Sequence, residues 1–254
     1  MIRLENVEFK REQRHILQDL NWHVRPSENW VILGRNGSGK STVLEMINGY
    51  LFPSSGKIQV LDHVYGACDV REVRKKIGYI SQALLEKMTL RDPVWEVVAT
   101  GAFGFLRFYE VIDQELHERA VEMLRQLKLE HVQDQPLGTL SQGERKKAML
   151  ARVMMMNPAL LILDEPCAGL DLYEREHFLH SLQDLHSKNM QILYVTHHIE
   201  EIVPIFTHVA LMNSGKLIAA DEKKHVLTDS ILQEAYQIQV HVEWENERPW
   251  IKMK

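Results

Sequence analysis

Residues 29–49 read NWVILGRNGSGKSTVLEMING, and they join a strand, a glycine-rich loop and a helix. The segment before the loop is almost wholly apolar, as is typical of a strand covered on both faces of a parallel sheet. Residues 34–41 match the pattern G-x-x-x-x-G-K-[S/T], whose glycines let backbone amides wrap around phosphate oxygens. Gly49 is placed to end the helix. The stretch therefore predicts a phosphate-binding loop and an α/β fold built around it.

The chemistry of this loop points to a nucleotide with a magnesium ion. Lys40 would reach the β- and γ-phosphates, and the Ser41 hydroxyl would ligate Mg²⁺. A glycine turn that holds no ligand is the alternative interpretation, but the strand before the loop and the helix after it favour phosphate binding. The predicted nucleotide-binding residues of this stretch are Gly34, Arg35, Asn36, Gly37, Ser38, Gly39, Lys40, Ser41 and Thr42.

Two further apolar runs, LLILDE at 160–165 and QILYVTHH at 191–198, end in polar side chains. Functional groups collect at the carboxyl ends of parallel strands. Asp164 is placed to hold Mg²⁺ through water, and Glu165 to polarise the water that attacks the γ-phosphate. A neutral His197 could orient that water. A salt-bridged strand end and a structural histidine are the alternative interpretations.

His197 and His198 are adjacent, so in a strand their rings would face opposite ways, and only one could reach a nucleotide. Gln82 follows another short apolar strand, in the sequence GYISQ. Its amide could ligate Mg²⁺ or a water beside the nucleotide. Taken alone, Gln82 is more simply a surface amide, so its role depends on the other motifs.

The segment LSQGE at residues 140–144 has the pattern of a helix start. Ser141 can accept a backbone N–H as N-cap, and Glu144 can close a capping box. With Gly143 in its first turn, this helix N-terminus is a good site for an anion. The basic triplet at residues 145–147 is interpreted as the solvated face of the same helix.

Composition limits the classes of function. The chain has 254 residues and a net charge of −5, and without a basic stripe we expect no nucleic-acid partner. Its two cysteines, Cys68 and Cys167, form no CxxC pair and fit a reducing cytoplasm. The N-terminus has no apolar signal-peptide core, and no apolar run approaches the roughly 18–20 residues of a membrane span. We therefore expect a chain that does not cross a membrane but could work beside one.

The hydrophobic pattern predicts one domain over residues 1–254. Residues 1–25 predict two strands around a polar turn. Residues 84–156 are mostly helical by pattern, with an interrupting stretch TGAFGFLRFYE, and we interpret them as an inserted helical subdomain. The α/β core and a β subdomain would then occupy residues 1–83 and 157–254. VALMNSGKLIAAD predicts a hairpin, and the tail from about residue 221 predicts a helix and a last hairpin around ENER.

In this order, the motifs resemble those of the ATP-binding subunits, or nucleotide-binding domains, of ABC transporters, over essentially the whole chain. GRNGSGKST resembles their Walker A motif, Gln82 the Q-loop, LSQGE the signature, LLILDEP the Walker B motif with catalytic Glu165, CAGLD the D-loop and His197 the H-loop. Six motifs in the family's order make the resemblance highly specific. Within the family, VVATGAFG and the tail are similar to metal-chelate importer ATPases, and the chain resembles the YlmA-like group of small bacterial ATPases.

The resemblance implies a P-loop NTPase (RecA-like) core with an antiparallel β subdomain and an inserted helical subdomain. It also implies ATP and Mg²⁺ as ligands, with Ser41, Gln82 and Asp164 at the metal. In this family two subunits dimerise head to tail, so Ser141 and Gly143 of one chain would cover the γ-phosphate bound by the other. The implied partners are a second copy or a paired ATPase subunit, and integral membrane subunits that dock on the Q-loop and the helical insertion at the cytoplasmic face of the cell membrane.

The sequence departs from the family pattern at two places. The signature is usually LSGGQ, and Gln142 and Glu144 replace its third and fifth residues; because Glu144 keeps the capping box, we expect activity to survive. Many members stack an aromatic ring on adenine, and strand alignment puts Arg11 at that position. A guanidinium can also stack on a base, so Arg11 is a predicted nucleotide contact, and the choice between ATP and GTP stays open.

The first hypothesis is therefore the ATPase that energises a transporter. The alternative is a soluble ABC ATPase that acts in assembly or regulation rather than transport. A P-loop kinase or GTPase is disfavoured by LSQGE and CAGLD, and by the lack of an N-K-x-D guanine motif.

Overall fold

The computed structural model describes residues 1–108, 112–186 and 190–253. The strands of these residues are β1 (Ile2–Arg11), β2 (Arg14–Val24), β3 (Trp30–Gly34), β4 (Ser55–Val60), β5 (His63–Val64), β6 (Ile77–Ile80), β7 (Leu160–Asp164), β8 (Gln191–Thr196), β9 (His208–Asn213), β10 (Lys216–Glu222), β11 (Val240–Glu245) and β12 (Arg248–Met253). The α-helices are α1 (Lys40–Ile47), α2 (Val70–Arg74), α3 (Gln82–Leu85), α4 (Val94–Ala99), α5 (Gln114–Gln126), α6 (Gln142–Met154), α7 (Leu172–Leu185), α8 (Lys223–Val226) and α9 (Asp229–Tyr236).

The chain forms two compact units, Met1–Arg74 with Gln191–Lys254, and Lys75–Met190. The predicted helical subdomain, residues 84–156, falls inside the second unit. Its limits, and those of the core and β subdomain around it, stay a prediction.

The centre of the first unit is a run of strands in the order β10-β9-β3-β8. Strand β3 is parallel to both β8 and β9, and β10 closes the edge as the antiparallel partner of β9. Every residue of β3 and β8 is buried, which explains their nearly continuous apolar sequences. Residues 35–39 connect β3 to α1, so the phosphate loop starts from a fully buried strand.

The predicted hairpins are confirmed. Strands β1 and β2 are antiparallel and belong to a second sheet with the order β2-β1-β4-β5. The hairpin of β9 and β10 turns at Ser214 and Gly215, whose φ angles of 48° and 78° suit a tight two-residue turn. Strands β11 and β12 form the last hairpin and turn at Asn246 and Glu247, also with positive φ.

The second unit contains the parallel pair β6 and β7 and a group of helices. Helix α6 packs on α4, α5 and α7, so the mostly helical pattern of residues 84–156 is confirmed. The interrupting stretch is a 3₁₀ turn at Thr100–Phe103. A side chain at Gly101 would collide with the carbonyl oxygen of Arg152, so glycine lets this turn lie directly on α6. Tyr109 and Glu110 of the same stretch lie outside the described residues.

Asn29 connects the starts of neighbouring strands in the first unit. Its buried side chain accepts a hydrogen bond from the Ile192 N–H through Oδ1 at 2.9 Å and donates through Nδ2 to the Ile205 carbonyl at 3.1 Å. Its backbone N–H donates to Thr207 Oγ1 at 3.1 Å. One side chain therefore satisfies two backbone groups that water reaches poorly.

Replacing Asn29 with Ala should lower the free energy of unfolding by about 2–4 kcal/mol, because it leaves two backbone groups without partners in the interior. Urea denaturation of the two proteins measures this difference. Exposed His23→Ala on β2 is the matched control and should change stability by less than about 0.5 kcal/mol. Equal stability of Asn29→Ala and the wild-type chain would contradict the role given to Asn29.

Candidate nucleotide site

The loop between β3 and α1 has the backbone geometry of an anion cradle. Gly37 and Gly39 have φ angles of 79° and 102°, a region that side chains avoid. Gly39 is the N-cap of α1, and no side chain accepts a hydrogen bond from the first turn of this helix. A Cβ at Gly34 would collide with the carbonyl oxygen of Met212. The glycines thus allow the tight turn, and the first amides of α1 are left open to a ligand.

Two side chains of the loop fit phosphate oxygens. Lys40 is only 5% exposed, and its ammonium donates to the carbonyl oxygens of Gly34 at 2.8 Å and Arg35 at 3.1 Å. The Ser38 hydroxyl is buried and has no hydrogen-bond partner among the described residues. An unpartnered buried hydroxyl beside an uncapped helix N-terminus is satisfied by an anion with several acceptor oxygens. The residues present therefore fit the phosphates of a nucleotide.

Other predicted residues of the first unit lie at the ends of strands. Arg11 is the last residue of β1, is exposed, and lies opposite Arg14. His197 follows β8 directly. Its ring centroid lies 4.1 Å from that of His198, so the expectation that the two rings face opposite ways is wrong. The physical reason is that β8 ends at Thr196, and the alternation of strand residues stops before the histidine pair.

Glu201 is a residue that the sequence analysis missed. It is 2% exposed, and its carboxylate accepts hydrogen bonds from the Tyr194 hydroxyl at 2.8 Å and the Thr196 hydroxyl at 2.7 Å. The same Thr196 hydroxyl accepts from the His198 backbone N–H at 3.0 Å. Glu201 therefore fixes the end of β8, from which His197 projects. No local sequence signal separates this glutamate from a solvated one.

The second unit contains the predicted acidic and amide groups. Strands β6 and β7 are parallel, and Ile80 pairs with Leu163, so Gln82 and Asp164 follow neighbouring strands at the same edge. Asp164 Oδ2 accepts from the Tyr79 hydroxyl at 3.4 Å. Gln82 opens α3, and its amide donates to Glu86 at 3.2 Å.

Glu165 has an unusual backbone conformation. Its φ of 47° is in the left-handed region, which costs a residue other than glycine about 1–3 kcal/mol and is concentrated at functional sites. Its side chain is half-buried at the end of β7. Twelve other described residues that are not glycine also have a positive φ, so the catalytic role of Glu165 stays a prediction.

The LSQGE segment begins α6 as its capping box predicts. Ser141 Oγ accepts from the Glu144 N–H at 3.2 Å, and the Glu144 carboxylate accepts from the Ser141 N–H at 2.8 Å. Burial opposes ionisation of Glu144, but the hydrogen bonds from Ser141 and the nearby His131 hold the pKa of its carboxyl below the usual value. The Glu174 carboxylate lies directly against Gly143, so a side chain at this position would have to displace it.

The interpretation of residues 145–147 as a solvated face is wrong for Lys146. Lys146 is 7% exposed, and its ammonium donates to the carbonyl oxygens of Pro166 at 2.5 Å and Ala168 at 2.6 Å. These carbonyls belong to residues 20 and 22 positions after the lysine in the sequence. A helical charge pattern contains no information about such a partner, and the sequence analysis missed this contact.

Comparison with known proteins agrees with this arrangement of motifs. Residues 17–168 match the model of the ABC transporter family. The uncharacterized ABC transporter ATP-binding protein YlmA of Bacillus subtilis is 41% identical over 254 residues, 99% of this chain and 96% of its own length. The energy-coupling factor transporter ATP-binding protein EcfA2 of Streptococcus thermophilus is 31% identical over 235 residues, 89% of this chain and 82% of its own.

A solved structure shows the same fold. CbiO1 from Clostridium perfringens, described as part of the ABC transporter complex cbiONQ, aligns with a TM-score of 0.78 and 28% identity over 92% of both chains. The predicted α/β class with a P-loop NTPase core is therefore confirmed, as is the resemblance to YlmA. Since the family model covers more than half of the chain and YlmA matches nearly all of it, this protein belongs to the family of ABC transporter ATP-binding proteins.

Proposed function

We propose that this chain powers a transporter by binding and hydrolysing ATP between two copies arranged head to tail. As a member of its family, the chain is an ATP-binding ATPase. The observation that carries the head-to-tail proposal is the presence of two separate helix N-termini suited to phosphate. One is the uncapped start of α1, and the other is the start of α6 at Ser141. In the proposed pair, each nucleotide lies between α1 of one copy and α6 of the other.

The ground-state complex would be held by the phosphate loop. Lys40 exchanges its two carbonyl partners for phosphate oxygens, and the Ser38 hydroxyl gains an acceptor. Mg²⁺ prefers oxygen ligands and keeps several waters, so the Ser41 hydroxyl, the Gln82 amide oxygen and the Asp164 carboxylate form a suitable set. Bound Mg²⁺ would neutralise charge on the phosphates.

Hydrolysis would depend on Glu165 and His197. Glu165 accepts the proton of the attacking water as general base, and His197 hydrogen-bonds the γ-phosphate and orients that water. Ser141 and the open amides next to Gly143 contact the γ-phosphate of the opposite copy. Glu165 and His197 would come from the copy that binds the nucleotide, and Ser141 and Gly143 from the opposite copy. Turnover would therefore require dimerisation.

Transport would also require membrane subunits. Of the helices that the structure describes, none is long and apolar enough to cross a bilayer. EcfA2 and CbiO1 are named as parts of transporters, which supports association of this chain with membrane subunits at the cytoplasmic face. Phe103, Phe105 and Phe108 contact one another within the helical segment, and the first two are more than half exposed, which supports this segment as the docking surface. Co-purification of a membrane subunit from native membranes tests this association.

Lys40→Ala and Ser141→Arg should each abolish turnover, but an equal mixture of the two variants should regain ATPase activity. In a mixed pair, the intact loop of the Ser141 variant meets the intact α6 of the Lys40 variant, so one complete site forms. Phosphate release by each variant and by the mixture measures this. Ser141→Arg should also bind ATP with nearly wild-type affinity, whereas Lys40→Ala should bind it weakly. A mixture as inactive as its components would show that each site is complete within one chain.

Glu165→Gln should lower turnover by about 10²–10⁴-fold, because the substitution removes the general base and keeps the side chain's size. ATP binding should persist, and the unhydrolysed pair should accumulate. Gel filtration with Mg-ATP should therefore show twice the monomer mass, reversed when nucleotide is removed.

Asp164→Asn is the control for the accumulation of the ATP-bound dimer. It should abolish hydrolysis by weakening Mg²⁺ coordination, without producing a stable dimer. If Glu165→Gln instead hydrolyses ATP at close to the normal rate, the base is another group, and His197 is the first candidate.

The protein should discriminate only weakly between adenine and guanine nucleotides. Arg11 replaces the usual aromatic ring and would stack on the purine face without contacting the hydrogen-bonding groups on its edge. We therefore expect kcat/KM values for ATP and GTP within about tenfold of each other, or about 1.4 kcal/mol. Parallel steady-state assays with the two nucleotides measure the ratio. Arg11→Ala should raise KM for both nucleotides to a similar extent. A hundredfold preference for ATP would contradict this role for Arg11.

A further inference from the structure

Lys146 connects the start of α6 to the chain that follows Glu165. Burying an ammonium group is costly unless hydrogen bonds replace its water. Here two short charge-assisted bonds do so, to the carbonyl oxygens of Pro166 at 2.5 Å and Ala168 at 2.6 Å. Without the lysine, two carbonyl oxygens that converge on one point would lose their shared donor. The contact therefore fixes one relative placement of α6 and residues 166–168.

The backbone that Lys146 holds also carries the catalytic glutamate. Pro166 follows Glu165 directly, and the Ala168 N–H donates to the Glu165 carbonyl at 3.1 Å. Glu165 has a φ of 47°, and such strain persists only where the surroundings determine the conformation. Residues on both sides of this turn are thus fixed, by β7 before it and by the Lys146 ammonium after it.

Two neighbouring contacts join the same elements. Gln142 Oε1 lies 3.1 Å from the position that a Cβ would take at Gly169. The Glu174 carboxylate lies directly against Gly143 and would have to move to admit a side chain there. Residues 142, 143 and 146 of the first turns of α6 therefore all meet the chain between Pro166 and Glu174. This junction is independent of the capping box, which lies within α6 itself.

We propose that Lys146 is a positioning residue that couples the placement of α6 to the orientation of the Glu165 carboxylate. The proposal rests on the function proposed above, in which Ser141 contacts the nucleotide of the second copy and Glu165 acts on the attacking water. When α6 binds the γ-phosphate, the position of the Lys146 ammonium fixes the positions of the Pro166 and Ala168 carbonyls. These carbonyls in turn fix the backbone conformation at Glu165. In this proposal Lys146 acts through the backbone at residues 166–168 and not directly on the nucleotide or the attacking water.

Lys146→Met tests this because it keeps an unbranched side chain and removes every donor. We expect kcat to fall by about 10²-fold, since small displacements of catalytic groups cost rates of this order. ATP affinity, measured by titration, should stay within about twofold, because the phosphate loop is unchanged. Lys146→Gln supplies two N–H donors on a shorter chain, so its kcat should lie between those of the wild-type chain and Lys146→Met. A purely packing role would not favour Gln over Met.

Lys147→Met is the matched control, one residue along the same helix and only half-buried, and it should keep wild-type kcat. In the Glu165→Gln background, Lys146→Met should still form the ATP-dependent dimer, because the lysine positions the glutamate and does not build the interface. A wild-type kcat in Lys146→Met would overturn the proposal, as would a kcat of Lys146→Gln no higher than that of Lys146→Met.

Circular dichroism and urea denaturation check that the variants fold. If Lys146→Met does not fold, Lys146→Gln decides alone: a reduced kcat at unchanged ATP affinity supports the coupling, and a wild-type kcat overturns it. If the wild-type chain has no ATPase activity, the proposed function is wrong. If the wild-type chain is active and Lys146→Met is equally active, only the role of Lys146 is wrong.

Discussion

The N-cap of α1 is Gly39, which has no side chain to accept hydrogen bonds from the first turn of the helix. The arrangement of the phosphate loop depends on this uncapped helix start. Gly39 takes a left-handed conformation at the N-cap, and the buried hydroxyl of the neighbouring Ser38 has no hydrogen-bond partner in the part of the chain that the structure describes. Unsatisfied donors of this kind destabilise a fold unless a ligand supplies acceptors. The fully buried strands β3 and β8 hold the loop in this costly arrangement. The unit is thus built to be completed by phosphate oxygens rather than to be most stable alone.

The start of α6 has the opposite design. Its Ser141 and Glu144 satisfy each other's backbone amides, and hydrogen bonds keep the Glu144 carboxyl ionised by lowering its pKa. A helix start that is satisfied by its own chain can remain exposed to water at little cost. This difference suits the two roles in the proposed pair. In that proposal, the α1 site binds the nucleotide of its own chain, and the α6 site contacts a phosphate only after a second copy has bound.

Local signals predicted most of the elements and failed where a partner is distant in sequence. The hairpins and the capping box at Ser141 depend on residues a few positions apart, and the structure confirms them. Lys146 was interpreted as solvated because its acceptors belong to residues 166 and 168. Glu201 was missed although its donors, Thr196 and Tyr194, lie only five and seven residues away, because no local pattern shows that the chain after β8 turns this carboxylate back onto the strand. The histidine pair was misjudged because β8 ends at Thr196, two residues before the end of the run at 191–198.

These misjudged residues share a function that the motifs themselves lack. In the proposed function the motifs supply the groups that contact nucleotide, whereas Glu201 and Lys146 hold the backbone next to His197 and Glu165. A left-handed Glu165 costs free energy, and β7 on one side and the Lys146 ammonium on the other offset that cost. The orientation of Glu165, the proposed general base, is therefore set by the chain on both sides of it. A change that loosens either support alters the reaction without removing any group that performs it.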